Sequence, residues 1–320
     1  MRRFTASLIL ASALGLGLPA AFAAPLVEPA ELAAKLNDPA VRIVDVRDGK
    51  NEAGKTPYEL GHLPGAVHAP YSQWRGPKEN PGALPDAARL TQLIQRLGLD
   101  RDAEAVLVYE GKDATDFGSA ARVYFTLKAA GLSKLSILNG GMKAWRAAGK
   151  PVTTDVASVK PSGYVASLDE RMIATRQEVE QAVKNKAGVL IDARPVAFFQ
   201  GETRHVAAKV PGTIEGAKNV SHSVWFGKDS SALLPADEIR RIAQSNGIVP
   251  APQGSQTVSF CNTGHWASTN WFVLSEVLGD RNVAMYPDSM VDWSASGLPM
   301  SNVPNRLKQL LIDLKLATGS

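Results

Sequence analysis

The feature that most constrains this fold is an internal repeat that covers most of the chain. Residues 41–47 and 188–194 are short β-branched runs that both end in Asp-x-Arg. After each run the same features follow in order: a Gly-x-x-x-Gly-Ala turn, a second apolar run, a helical segment closed by glycine, a third apolar run and a segment with a tryptophan. Apolar runs that alternate with helical patterns predict parallel strands joined by helices. The repeat therefore predicts an α/β protein of two similar domains, each a parallel β-sheet with helices on both faces.

Local patterns place the elements of each predicted domain. Strands are expected at residues 41–47, 105–109, 135–138, 188–194, 257–260 and 283–286. Helices are expected at residues 119–130 and 268–278, because Gly131 and Gly279 follow them as helix C-caps usually do. An amphipathic helix is expected at residues 306–316, where it packs on a neighbouring element.

The first residues have the pattern of an export signal. Arg2 and Arg3 precede an apolar stretch at residues 8–18, and Ala21-Phe22-Ala23 fits a cleavage site. The apolar stretch is too short to span a membrane. We therefore expect a signal peptide at residues 1–23, a first domain at 24–155 and a second domain at 156–320. The expected location is the periplasm, with full secretion as the alternative.

Composition limits the partners of the mature chain. The formal charge of +4 falls to +2 when Arg2 and Arg3 are removed. A chain so close to neutral, without basic runs interleaved with aromatic residues, gives no reason to expect nucleic-acid binding. No long apolar segment follows the leader, so no membrane partner is expected after cleavage. The five histidines lack metal-ligand spacing, so no metal site is expected.

Cys261 is the only cysteine of the chain and cannot form an intramolecular disulfide. A free thiol is a liability in an oxidising compartment, so Cys261 is either buried and inert or kept for its chemistry. It lies between a predicted strand and a predicted helix, where open α/β sheets usually build their ligand crevice. Backbone N–H groups that curl into a helix N-terminus stabilise an anion, and Gly264 allows the backbone to curve around the sulfur. The position therefore favours a reactive thiolate.

These motifs together resemble the tandem-domain rhodanese sulfurtransferases. The resemblance rests on the doubled Asp-x-Arg, the two Gly-x-x-x-Gly-Ala turns, the strand before Cys261 and the tryptophan-bearing final helix, and it covers essentially the whole mature chain. It implies that the second domain is catalytic. The first domain is then silent, since its corresponding loop at residues 110–118 is longer and has no cysteine.

The resemblance also implies the reaction. Cys261 takes sulfane sulfur from a small donor such as thiosulfate and forms a persulfide, and cyanide or a thiol then accepts the outer sulfur. No metal or organic cofactor is needed, because the cysteine sulfur is itself the carrier. A sulfur-accepting protein is a further possible partner.

Several residues are expected to bind substrate around Cys261. They are the loop residues Asn262, Thr263, Gly264, His265, Trp266 and Ala267, together with Arg194, His62 and Arg75. Arg194 is expected first to have a structural role, in which it pairs with Asp192 or with the loop backbone. His62 lies in a turn that faces the interdomain cleft in related enzymes, and Arg75 lies in a loop that reaches towards it.

The chain departs from its thiosulfate-preferring relatives where they carry positive charge. Those relatives commonly have arginine or lysine just after the cysteine, where this chain has Asn262 and Thr263. They often have an arginine four residues beyond Asp-x-Arg, where this chain has Phe198. The charge of the donor must then be met by backbone N–H groups or by residues elsewhere, with Arg204 and Lys209 as candidates.

Two other functional classes also use a cysteine in a loop of this kind. Phosphatases and arsenate reductases need Cys-x5-Arg, because the arginine clamps the oxyanion, and that position is Ala267 here. Ala267 excludes this class. A persulfide carrier or sulfur-sensing module that serves a partner protein needs the same thiolate pocket, so it stays an open alternative.

Overall fold

Two parallel sheets, one in each half of the sequence repeat, organise the molecule. The computed structural model describes residues 24–248 and 255–318, so the expected signal peptide lies outside the described residues. Within those ranges, no helix combines the length and the apolar character needed to cross a membrane. The α/β architecture predicted from the repeat is confirmed.

The described part of the first half contains five parallel strands and four α-helices. The strands are β1 (Leu26–Val27), β2 (Val41–Asp45), β3 (Val67–His68), β4 (Glu104–Val108) and β5 (Leu135–Leu138). The helices are α1 (Pro29–Ala34), α2 (Ala87–Arg96), α3 (Ala114–Ala129) and α4 (Gly141–Ala147). The strand order is β1-β5-β4-β2-β3. Asp45 is in register with Val108, so the segments after β2 and β4 leave the sheet at the same edge.

The second half repeats this plan with a smaller parallel sheet and an added antiparallel pair. Its strands are β6 (Val189–Asp192), β7 (Thr213–Ile214), β8 (Lys218–Asn219), β9 (Thr257–Phe260), β10 (Val283–Met285) and β11 (Met300–Ser301). Its helices are α5 (Arg176–Asn185), α6 (Val196–Phe199), α7 (Ala236–Ser245), α8 (His265–Phe272), α9 (Ser289–Trp293) and α10 (Arg306–Thr318). The parallel order is β10-β9-β6-β8, and β7 pairs with β11. Asp192 is in register with Phe260, which brings the second Asp-x-Arg segment beside Cys261.

Alternating strand residues build cores on both faces of each sheet. The first sheet packs one face against α1 and α4 through residues that include Ile43, Val106 and Trp145. The second sheet packs the matching face against α5 and α9 through Val258 and Trp293. The other faces, with α2, α3, α7 and α8, form one continuous core that spans both halves. Helices therefore cover both faces of each sheet.

Helices α3 and α8, one from each half, pack against each other at the centre of this shared core. Phe117 of α3 lies edge-on to Phe272 with ring centroids 5.6 Å apart. Gly118 allows the close approach, because a Cβ atom there would lie 2.7 Å from Nε2 of His265. The packing therefore holds the start of α8, next to Cys261, against the first domain.

Both central helices begin earlier than the sequence pattern predicted. Helix α3 begins at Ala114 rather than residue 119, because the Asp113 side chain accepts the N–H of Asp116 (2.9 Å) and caps the helix. Helix α8 begins at His265 rather than residue 268, directly after Gly264, whose φ of 71° ends the loop. The prediction that residues 265–267 belong to the cysteine loop is therefore wrong, since they form the first turn of α8.

The C-terminal helix is present, but its packing differs from the expectation. In α10 only Ile312 is buried. The remaining apolar side chains of the helix are largely exposed, so the expectation that its apolar face packs on a neighbouring element is wrong for most of that face.

Candidate active site between the two domains

Cys261 lies at the carboxyl end of β9, in a short loop that leads into α8. The residue is only 1% exposed. Its N–H donates to Oγ of Ser289 (3.0 Å), and its carbonyl accepts the N–H of Met290 (3.1 Å). Because β9 and the start of α9 both hold its backbone, the position of the cysteine is well defined.

The loop after Cys261 presents a run of backbone donors. In residues 24–248 and 255–318, no acceptor receives the N–H groups of residues 262–266. Gly264 lies in the left-handed region between them, which turns the chain into the N-terminus of α8. Successive N–H groups of this kind form a concavity that attracts anions. The loop therefore suits a thiolate, a persulfide or an anionic donor.

Two arginines of the first domain reach this loop. Arg75 donates through Nη2 to the carbonyl of Thr263 (2.8 Å), and Nη1 of the buried Arg122 lies 3.5 Å from the carbonyl of Gly264. Neither guanidinium pairs with a carboxylate in the described part of the chain. Burial and the charge of Arg75 lower the pKa of Arg122 to about 9, so Arg122 is still cationic at neutral pH. The first domain thus places positive charge around the cysteine loop.

His265 connects the two domains beside this loop. Tyr71 Oη donates to His265 Nδ1 (2.7 Å), and His265 Nε2 donates to the carbonyl of Thr115 (2.8 Å). Burial, followed by the charge of Arg75, lowers the pKa of His265 to about 3. The imidazole is therefore neutral near pH 7, and both its nitrogens are engaged in the interface. This arrangement suits positioning of the loop rather than proton exchange with Cys261.

A cavity of about 280 Å³ lies over the cysteine. Both domains line it, through Tyr71, Arg75, Thr115, His205, Cys261, Asn262, Thr263, His265 and Trp266. Sequence reasoning did not find Tyr71, Thr115 or His205. No motif marks the two first-domain residues. His205 could have been predicted from its position in the chain. It lies between the second Asp-x-Arg and the following glycine turn, a segment that leaves the sheet at the same edge as Cys261.

The structure brings together five of the predicted substrate-binding residues. Arg75, Asn262, Thr263, His265 and Trp266 line the cavity with Cys261. Gly264 and Ala267 do not. Gly264 packs against Arg122, and the fully buried Ala267 offers its carbonyl to Oγ of Ser259 (3.0 Å).

Arg194 lies behind the cysteine loop, where it forms a buried ion pair. Its Nη2 is 2.6 Å from Oδ2 of Asp192 and 2.7 Å from the carbonyl of Gly212. Nη1 lies 3.4 Å from Oδ1 of Asn262, so the guanidinium contacts the cysteine loop on the side of Asp192. The expected pairing of Arg194 with Asp192 is present.

His62 does not reach the cavity. Its Nδ1 lies 2.8 Å from the carbonyl of Tyr58, and its Nε2 lies 3.0 Å from that of Asp155. The ring is fully buried and stacks on Tyr58. These contacts hold His62 inside the first domain, contrary to the expected position in the cleft.

The two candidate replacements for the missing positive charge also lie away from the cavity lining. Arg204 pairs with Asp313 of α10 (2.9 Å), and Lys209 is anchored through its N–H to Oγ of Ser294 (2.9 Å). Phe198, at the position where relatives have arginine, lies edge-on to Trp266. Arg75 and Arg122 supply the charge instead.

In the corresponding loop of the first domain, the side chain of Asp116 accepts the backbone N–H groups. Oδ2 of Asp116 accepts the N–H of Gly111 (2.7 Å) and that of Lys112 (3.0 Å). A carboxylate of α3 thus occupies the anion-binding N–H groups that this loop offers. Among the described residues, no group of three His, Cys, Asp or Glu side chains is arranged to hold a metal ion.

Comparison with known proteins agrees with this geometry. The profile of the rhodanese-like domain matches residues 28–148 and 175–296. A putative thiosulfate sulfurtransferase of Synechococcus elongatus is 30% identical over 293 residues, covering 88% of this chain and 86% of that protein. The sulfur carrier protein TtuD of Thermus thermophilus is 29% identical over 279 residues, covering 83% of this chain and 92% of TtuD.

A third relative and a solved structure extend the comparison. A probable 3-mercaptopyruvate sulfurtransferase of Pseudomonas aeruginosa is 27% identical over 278 residues, covering 84% of this chain and 95% of that protein. The crystal structure of SseA from Escherichia coli superposes with a TM-score of 0.72 at 24% identity, covering 83% of this chain and 98% of SseA. At that identity the superposition shows a common fold.

Proposed function

Because this chain belongs to the rhodanese family and carries two rhodanese-like domains in tandem, we propose that it is a sulfurtransferase in which Cys261 carries the transferred sulfur. The observation that carries this proposal is the placement of the only cysteine beside five backbone N–H groups without acceptors in the described part of the chain, under a cavity large enough for a small anion. Such donors stabilise the thiolate before the reaction and the persulfide after it.

The reaction has two balanced steps. The Cys261 thiolate attacks the transferable sulfur of the donor and forms a new S–S bond, while the S–S bond of thiosulfate or the C–S bond of 3-mercaptopyruvate breaks. With 3-mercaptopyruvate, the carbon fragment leaves as the enolate of pyruvate and takes up a proton. With thiosulfate, the products are the persulfide Cys–S–S⁻ and sulfite. In the second step, cyanide or a thiolate attacks the terminal sulfur. Thiocyanate or an acceptor persulfide then leaves, and the Cys261 thiolate is restored.

The charges around the cavity support an anionic donor. Arg75 lines the cavity, and three of its side-chain N–H groups remain beyond the two that donate to Thr263 and Tyr71. Arg122 adds a buried cation on the far side of Gly264. Thiosulfate and 3-mercaptopyruvate, the donors in the names of the relatives, are both anionic. The cavity chemistry favours this class over neutral donors.

A persulfide carrier is the second candidate, since one relative is named a sulfur carrier protein. In that case Cys261 would accept sulfur once and pass it to a protein partner. Multiple turnover with a small acceptor such as cyanide distinguishes an enzyme from a carrier.

We also propose that the chain is exported to the periplasm, with residues 1–23 removed as a signal peptide. The leader pattern supports this proposal.

The proposed function is tested by intact-mass spectrometry of the protein after incubation with thiosulfate or with 3-mercaptopyruvate. We expect one added sulfur atom per chain, located on Cys261 by peptide mapping and removed by cyanide. The donor that gives the faster adduct is the preferred one. A protein that gains no sulfur from either donor would contradict the proposal.

Replacing Arg75 with glutamine should selectively weaken the binding of anionic donors. Loss of a charge-assisted hydrogen bond predicts a KM for thiosulfate that rises by about 10-fold to 100-fold. Alkylation gives an independent readout, because the chain has one cysteine. We expect the ratio of the iodoacetate rate to the iodoacetamide rate to fall in Arg75→Gln, since only iodoacetate is charged.

Two variants serve as controls for this experiment. Arg75→Lys keeps the charge and should restore part of the effect. Arg101→Gln removes an exposed arginine that lies over the ring of Tyr164, away from the cavity, and should behave as wild type. An unchanged alkylation ratio in Arg75→Gln would show that Arg75 does not bind the donor.

A further inference from the structure

Helix α10 presents a row of leucines to solvent. Leu307, Leu310, Leu311 and Leu314 are between 51% and 69% exposed. Their spacing of i, i+3, i+4 and i+7 places them on one face of the helix. Ile312, 5% exposed, lies on the opposite face and packs on the protein. The stronger apolar face of this helix therefore points away from the domain that carries it.

The anchoring of α10 makes this orientation stable. Asp313 forms an ion pair with Arg204 (2.9 Å), and the same guanidinium donates to the carbonyls of Val206 (3.1 Å) and Ala208 (2.6 Å). Val206 is 72% exposed, so it adds apolar surface close to the helix. Turning the leucines inwards would break this ion pair and expose Ile312.

The charges on α10 indicate what covers the leucines. Arg306, Lys308 and Lys315 are exposed, while the acidic Asp313 is already paired with Arg204. Leucines on one face with lysines and arginine around them are typical of a helix that lies in a membrane interface, where the cations contact anionic lipid headgroups. At 13 residues the helix is too short to span a bilayer, which needs about 20.

A second copy of the chain is a poorer fit for the same face. A helix of this length offers a face about 20 Å long and about 10 Å wide. That area is far below the roughly 800 Å² per partner that stable protein interfaces bury. A lipid surface needs no such area, since binding grows with each buried side chain and each nearby cation.

We propose that α10 docks this protein on an anionic membrane surface through Leu307, Leu310, Leu311 and Leu314. Docking adds an interaction surface to the proposed sulfur transfer, and it revises the expectation that the mature chain has no membrane partner. Because Arg204 joins α10 to the loop that carries His205, the docked protein holds one wall of the Cys261 cavity near the lipid.

The test is sedimentation of the chain from Ala24 onwards, which contains every described residue, with vesicles. Vesicles of equal parts phosphatidylglycerol and phosphatidylcholine are compared with vesicles of phosphatidylcholine alone. We expect binding to the anionic vesicles that falls at least about 10-fold in Leu307→Ser/Leu311→Ser/Leu314→Ser. High salt should weaken it, because the cations contribute.

The control variant Val156→Ser/Val165→Ser removes two apolar side chains from another surface, and at 79% and 70% exposed they are more exposed than the leucines of α10. It should bind vesicles as wild type does. Persulfide formation on Cys261, measured without lipid, reports folding in every variant and is independent of docking. Absence of vesicle binding in a folded protein, or equal binding by the triple variant, would overturn the proposal. So would a dimer in sedimentation that the triple variant loses.

Discussion

Cys261→Ser should abolish sulfur transfer, with at least about a 10³-fold loss of turnover from thiosulfate to cyanide. The transferred sulfur is bound to Sγ, and a serine hydroxyl has neither the nucleophilicity nor the acidity to form the intermediate. The fold should survive, because the exchange alters one atom in a site held by β9 and α9. We expect the free energy of unfolding in urea to change by no more than about 1–3 kcal/mol, the cost of a buried hydroxyl.

Cys261→Ala is the matched control for this experiment. It removes the nucleophile without adding a polar group, so it should be equally inactive and closer to wild type in stability. Neither variant should gain sulfur in the intact-mass assay. Full turnover in either of them would place the sulfur-carrying group elsewhere in the molecule.

Arg194→Met should cost about 3–5 kcal/mol of unfolding free energy, because it leaves the fully buried Asp192 carboxylate without its cation. The chain offers a matched control in its other half. Arg47 pairs with Asp45 at the same distance, 2.6 Å, and donates to the carbonyl of Gly61 at 2.7 Å. Arg47→Met should therefore be destabilised to a similar extent in urea unfolding.

The two variants should differ in activity. Arg194 lies 3.4 Å from Asn262 of the cysteine loop, whereas Arg47 contacts Glu110 of the silent loop. Measured where both variants are folded, kcat should fall about 10-fold in Arg194→Met and little in Arg47→Met, as expected when a loop residue loses its support. If Arg194→Met does not fold, Asn262→Ala tests the same contact without breaking the ion pair. If kcat stays at the wild-type value in all of these variants, the role of Arg194 is limited to stability.

Much of the fold could be predicted from the sequence, because strands and helices depend on patterns among residues that are close in the chain. The alternation of β-branched runs and helical segments predicted both sheets, since a buried parallel strand and its covering helix have different periods. The starts of α3 and α8 were missed because they depend on the Asp113 cap and on the left-handed Gly264. The exposure of α10 was missed for another reason. Periodicity shows that a helix has an apolar face, and packing alone decides which way that face points.

Only part of the candidate site could be predicted from the sequence. Most of its second-domain part, from Cys261 to Trp266, is contiguous and follows a strand that predicts its position, whereas His205 comes from a separate loop. Its first-domain part consists of Tyr71, Arg75 and Thr115, which come from separate segments without a shared motif. Of these, only Arg75 was predicted, from its place in a loop that reaches towards the cleft.

The sequence by itself determined that two α/β domains exist and that the single reactive thiol belongs to the second. Both conclusions follow from residue order, because an internal repeat and a strand–loop–helix pattern are properties of the chain. Only the tertiary structure decided where the positive charge of the site comes from. Arg75 and Arg122 act across the interface between α3 and α8, and Gly118 allows that interface to close. Residues far apart in the chain meet there because the two domains share one core, and no local pattern encodes that contact.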